Sequence, residues 1–140
     1  MAEPRVAMDV EIPSDVKYIE GVIELATKKC RELRIPPRKC SLNVRVALSE
    51  AISNAILRGN GSAAHKHVRV KALVSPKTLI FDIVDEGRGF DLQAERPDPT
   101  LPENIMNEEG RGLFLMQRLM DRVERFEEDG NVVRLTLNRE

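Results

Sequence analysis

The sequence predicts an α+β fold, a two-layer sandwich with a mostly antiparallel sheet and helices on one face. Three observations carry this expectation. Apolar and polar residues alternate in short segments, as in half-buried strands. Elsewhere apolar residues recur at helical spacing. The resulting order, β-α-α-β-β-α-β-β, contains two hairpins. It lacks a repeating strand–helix–strand pattern, which disfavours a doubly wound parallel sheet.

Val6, Met8, Val10 and Ile12 alternate over residues 6–12 and are expected to share the buried face of a first strand, near a sheet edge. Pro13 ends it. Ser14 is read as the N-cap of the next helix, with Asp15 in its first turn. Ile19, Val22, Ile23, Ala26, Cys30 and Leu33 predict a helix over about 15–34, stopping before Pro36-Pro37. A second helix is expected over about 41–58, with Ser41 as a candidate cap. Its stripe is Ala47, Leu48, Ala51, Ile52 and Ala55, and Gly59 and Gly61 end it. Val68, Val70, Ala72 and Val74 predict a strand at 67–74, and Leu79, Phe81 and Ile83 one at 78–84, joined by Ser75-Pro76-Lys77. Residues 85–109 show no periodicity, and Pro97, Pro99 and Pro102 forbid a regular element among them. A third helix over about 112–121 carries Leu113, Phe114, Met116, Leu119 and Met120. Strands at 122–127 and 131–138 flank Asp129-Gly130, a two-residue hairpin signal.

A chain of 140 residues forms one domain, residues 1–140. Its 22 Lys+Arg against 23 Asp+Glu argue against a dedicated nucleic-acid binder, which needs a basic face. A nucleotide site, needing only a few local donors, remains open. No apolar run approaches the roughly 18 residues of a membrane span. The opening residues lack the apolar core of a signal peptide, so a cytoplasmic location is expected. Cys30 and Cys40 fit no metal or redox spacing and are read as reduced structural thiols.

Three short motifs carry chemistry. Asp85-Glu86-Gly87-Arg88-Gly89 follows a strand directly. Its glycines permit close approach of a ligand, and its carboxylate can accept from an amino group such as adenine N6. The same pattern describes many plain turns. Gly110-Arg111-Gly112-Leu113 opens the third helix, where free N–H groups attract anions. A solvated loop end would look alike. Glu50 and Asn54 share one face of the second helix. Asn54 can join a Mg²⁺ shell completed by phosphates and water, and Glu50 can take a proton from an attacking hydroxyl. A solvated pair is the simpler alternative.

Together, in this order, the motifs resemble those of the GHKL (Bergerat-fold) ATPases. Ser49-Glu50-Ala51-Ile52-Ser53-Asn54-Ala55 is similar to their N box, Asp85 to Phe90 to the first glycine box, and Gly110 to Leu113 to the second. Within that superfamily the chain most resembles the bacterial anti-sigma factor serine kinases (RsbW type). The resemblance implies that Asp85 binds the adenine amino group and that Gly87 and Gly89 shape its pocket. It implies that Asn54 holds Mg²⁺, that Glu50 is the general base, and that Gly110, Arg111, Gly112 and Leu113 cradle the ATP phosphates. Residues 90–109 become the ATP lid, a length of structureless chain that is uncommon unless functional. Arg58 stands where relatives often carry His, as a phosphate contact or a helix cap. Thr136 is the candidate for a threonine behind the adenine. His65 and His67 fall in a small-residue loop and are read as surface residues.

The implied function is an ATP-dependent protein serine kinase acting as an anti-sigma factor. Its implied partners are a sigma factor and a STAS-domain anti-sigma factor antagonist, whose serine it phosphorylates, and a second copy of itself in a homodimer. Nucleic acid and membrane are not expected partners. Two alternatives stay open: a non-catalytic ATP-binding module, and a histidine-kinase-like domain acting in trans on another protein's His.

Overall fold

A computed structural model describes residues 4–87 and 108–140. Alternation places the strands where the sequence predicts them: β1 (Arg5–Pro13), β2 (His67–Val74), β3 (Thr78–Asp85), β4 (Arg122–Glu127) and β5 (Asn131–Asn138). They form one sheet in the order β1-β2-β3-β5-β4, antiparallel at every junction, with β1 at an edge. β5 thus lies between β3 and β4.

The inner face carries the core. Val68, Val70, Leu79, Phe81, Ile83, Leu135 and Leu137 are buried against Ile23 and Ala26 of α1 (Ile19–Glu32) and Leu48 and Ile52 of α2 (Arg45–Asn54). Met116 of α3 (Glu108–Leu119) joins them. Burying each such Leu, Ile or Phe contributes about 1.5–3 kcal/mol.

The outer face carries charge. Asp9, Lys71, Asp82, Arg134 and Glu124 stand in register, alternating in sign across the sheet. Arg134 grips both Asp82 oxygens at 2.8 Å and stacks on Phe126, 4.9 Å from the ring centroid. Arg69 forks onto Asp9 at 2.8 and 2.7 Å and holds its carboxyl below the usual range. Opposite-charge neighbours of this kind contribute about 0.2–1 kcal/mol each.

Several local expectations are corrected. Val6 pairs with Leu73 whereas Met8 pairs with Ala72, so a bulge at Ala7 turns Val6 to the outer face, 56% exposed. Asp15, not Ser14, caps the first helical turn: its Oδ1 accepts from the Lys17 N–H at 3.0 Å. The Ser14 hydroxyl donates instead to the Lys66 carbonyl at 2.9 Å. A 3₁₀ turn over Val16–Tyr18 precedes α1. The second helical segment begins at Pro37, before Ser41, because a proline fits a first helical turn and the Pro36 carbonyl accepts from Lys39 and Cys40. Ser41 lies inside a π segment, Lys39–Val44, and a second π segment, Ala55–Gly59, follows α2. The β4–β5 loop spans Glu128, Asp129 and Gly130, one residue more than the Asp-Gly signal implies, with φ of 53° and 132° at its last two positions.

Candidate functional site

α2 aims Glu50 and Asn54, both half-buried, toward α3. A Cβ placed on Gly112 would lie 2.8 Å from Glu50 Oε2 and 3.6 Å from Asn54 Nδ2. The two carriers of the N-box resemblance and one glycine of the second box therefore meet, and glycine is what lets the helices approach. Arg58 sits half-buried in the π segment beyond.

α3 starts at Glu108, ahead of the residue 112 start that the glycines suggest. Gly110, Arg111 and Gly112 lie within its first turns rather than before it. The four N–H groups free of internal partners at a helix start end at its third residue, so Gly110 is the last of that set and Arg111 and Gly112 fall beyond it. Leu113 is 4% exposed, so its side chain anchors the helix in the core. Gly89 and residues 90–107 of the expected lid lie outside the described residues, and residues 108–109 are helical.

Asp85 ends β3 and is 2% exposed. Its Oδ1 accepts from the Gly87 N–H at 2.8 Å, and its Oδ2 from Asn131 Nδ2 at 2.9 Å. Each oxygen retains a lone pair for a further donor. Burial pushes the carboxyl above its usual range, and the Asn131 and Gly87 bonds pull it partly back. Two glycines make the space: a Cβ on Gly59 would stand 2.2 Å from Asp85 Oδ2, and one on Gly87 1.8 Å from the Gly59 carbonyl oxygen.

Asn60 then locks this turn to its surroundings. It is 3% exposed; its Nδ2 donates to Ser14 Oγ at 2.8 Å and to the His67 carbonyl at 3.0 Å. Its Oδ1 accepts from the Glu86 N–H at 2.7 Å. His65 and His67 are exposed, as expected, and the His67 N–H donates to the Glu86 carboxylate.

Thr136 is not brought to Asp85. It pairs with Ile80 and Arg122, and strand alternation puts it on the outer face with Arg134. Asn131, fully buried and directly opposite Asp85, holds that place instead. Sequence reading missed Asn131, Gly59 and Asn60 because all three sit in turn-like runs, Gly59-Asn60-Gly61 and Asp129-Gly130-Asn131. The strand register that makes them neighbours of Asp85 is a tertiary fact.

Residues 12–137 match the family described as Histidine kinase-like ATPase domain. The chain is 30% identical to the serine-protein kinase RsbW of Bacillus pumilus (strain SAFR-032) over 142 residues, covering 95% of this chain and 87% of that one. It is 26% identical to the serine-protein kinase RsbW of Bacillus subtilis (strain 168), covering 92% and 83%. It is 28% identical to an anti-sigma F factor of Clostridium beijerinckii, covering 69% and 68%. With a match running almost from end to end, the chain belongs to the histidine kinase-like ATPase family, in the group that holds the RsbW kinases and anti-sigma F factors.

Proposed function

We propose that this chain is an ATP-dependent protein serine kinase that also acts as an anti-sigma factor. It holds a sigma factor inactive, and it phosphorylates a serine of a STAS-domain antagonist, which then releases it to capture sigma again. The observation that carries this reading is the convergence of Glu50 and Asn54 on Gly112, in a fold whose β3 ends in the caged carboxylate of Asp85.

Asp85 accepts from the adenine amino group, and Gly87 and Gly89 shape the pocket of the base, Gly87 by letting the Gly59 carbonyl close up beside Asp85. The free N–H groups at the start of α3, Gly110 among them, face the phosphates, with Arg111 and Arg58 as cations and Leu113 anchoring the helix behind them. Asn54 holds Mg²⁺. Among the described residues no cluster of three His, Cys, Asp or Glu forms a metal cage. A magnesium ion that arrives with ATP takes most of its shell from phosphates and water, so the single side-chain oxygen of Asn54 fits that demand. When bound, the ion neutralises phosphate charge. The protein's part is positioning, with Glu50 accepting the proton of the attacking serine hydroxyl. The edge strand β1 suits pairing between two copies, and a homodimer is part of the proposal. Light scattering that gives a monomer mass at high micromolar concentration counts against the dimer.

The test of function is incubation of the chain with γ-labelled ATP and the STAS-domain protein encoded nearby. Acid-stable label on a serine of the antagonist is the expected result. Label that is acid-labile points to histidine transfer, and ATP binding without any transfer points to a switch module; either result overturns the kinase reading.

A further inference from the structure

Asn131 has no exposed surface, so its amide cannot turn to water, and the orientation it adopts must satisfy both neighbours. One neighbour is Asp85, whose Oδ2 receives Nδ2 at 2.9 Å. The other is Arg125 of β4, whose Nε–H donates to Asn131 Oδ1. Arg125 also donates from its terminal nitrogen to Glu127 Oε1 at 3.0 Å, which holds the guanidinium over β5. A guanidinium carries donors only. It therefore accepts no alternative amide orientation: oxygen faces Arg125, and the NH₂ group faces Asp85.

We propose that Arg125 is a positioning residue of the nucleotide site, which locks the Asn131 amide so that Asp85 is held as an acceptor for an exocyclic amino group. The inference rests on the reading of Asp85 given above. Without the lock the amide is free to rotate by half a turn and offer its oxygen to Asp85. That arrangement favours a protonated acid, because a hydrogen must then lie between two oxygens. A neutral acid is a weaker acceptor than a carboxylate. Among the described residues, the other groups around the Asp85 carboxyl are the Gly87 N–H in the following turn, Gly59 at the end of the helical segment, and the more distant positive charge of Lys66 before β2. Of these three only the Gly87 N–H donates to it, and to Oδ1, so none replaces the Asn131 contact at Oδ2.

Two substitutions separate the lock from the charge of Arg125. Arg125→Gln puts an uncharged N–H at the position of Nε, and Arg125→Met fills the same length with no donor. Both remove the positive charge equally. The measurement is the titration of the Asp85 carboxyl carbon by NMR in nucleotide-free protein, assigned with Asp85→Asn, beside ATP titrations across pH. In Arg125→Met the Asp85 midpoint should rise by about one pH unit, a tenfold change in proton affinity. The acid limb of ATP binding should move with it, while the neutral-pH plateau stays within about threefold, the equivalent of half a unit. Arg125→Gln should show less than half that shift. Equal shifts in the two variants would mean that charge alone acts and would overturn the lock, as would a wild-type Asp85 midpoint in folded Arg125→Met. The nucleotide-free titration stands apart from the ATP reading, which fails separately if the wild type binds no ATP.

Discussion

Gly59 lies so close to Asp85 that a single methyl group will not fit between them: a Cβ on residue 59 would stand 2.2 Å from Asp85 Oδ2 and 2.3 Å from its Cγ. Gly59→Ala must therefore push the carboxylate away from Asn131 and Gly87. The expected outcome is a loss of ATP affinity of about tenfold or more, with destabilisation of about 1–3 kcal/mol from overpacking. Gly21, on the exposed side of α1 with nothing within 4 Å of its added Cβ, is the control. Gly21→Ala should stabilise by about 1 kcal/mol and leave ATP binding alone. Calorimetric titration and urea melts on both proteins decide it; ordinary ATP binding by Gly59→Ala would remove Asp85 from the site.

Asp85→Asn replaces an acceptor oxygen with an NH₂ that opposes both Asn131 Nδ2 and an incoming amino group. Loss of a bond to a charged acceptor costs about 1.5–3 kcal/mol, so affinity for ATP should fall about tenfold or more, and GTP should bind poorly to both proteins. The pH dependence has a definite sign. Burial raises the Asp85 carboxyl in the folded state. Between its unfolded and folded pKa values the folded protein holds more protons, so this group's contribution to stability falls as pH rises through that window. Nucleotide binding runs the other way, since it uses the ionised form. The affinity ratio of wild type to Asp85→Asn, in which ATP's own protonations cancel, should shrink on acidification before the ordinary carboxylate range is reached. A ratio that is flat down to that range would contradict it.

Glu50 and Asn54 share a helix face but have separate tasks on the proposed reading. Glu50→Gln should keep ATP and sigma binding while phosphoryl transfer falls about 10²–10⁴-fold. Asn54→Ala should weaken magnesium-dependent ATP affinity as well as turnover. Single-turnover transfer and ATP titrations with and without Mg²⁺ check both. Near-normal transfer by Glu50→Gln would strike Glu50 from the catalytic residues.

Cys30 and Cys40 are 0% and 2% exposed, and burial, with Cys40 beside it, pushes the Cys30 thiol far up. Thiolate is the reactive form, so neither thiol should react with a disulfide reagent in the native state. Modification should appear only at the rate of unfolding and accelerate in denaturant. Reaction at the speed of a free thiol in native buffer would refute this.

What could be read from the sequence follows physical range. The spans of β2, β4 and β5 were legible because alternation is local, as were Glu50 and Asn54, which share a helix face through spacing alone. The start of α3 was not, since Gly110 and Gly112 argue against a helix, whereas Gly112 packs on Glu50 and Asn54 and Leu113 and Met116 bury in the core. Pro37 read as a stop and serves as a start, because proline's meaning depends on which side of the helix it falls. Residue type picks out Thr136 and passes over Asn131, because register is not visible in sequence: Asp85 opposes Asn131 only once β5 has paired with β3.

β5 enters the sheet between β3 and β4 although it follows both in sequence. During translation, Glu50, Asn54, Asp85 and Gly112 are therefore all synthesised while the slot beside β3 is still vacant. Until Asn131 arrives, Asp85 has no amide partner, and β3 shows a bare edge that invites chaperones or other nascent chains. A copy cut short before Asn131 would carry Glu50, Asn54, Asp85 and Gly112 and still lack the amide that holds the Asp85 carboxylate.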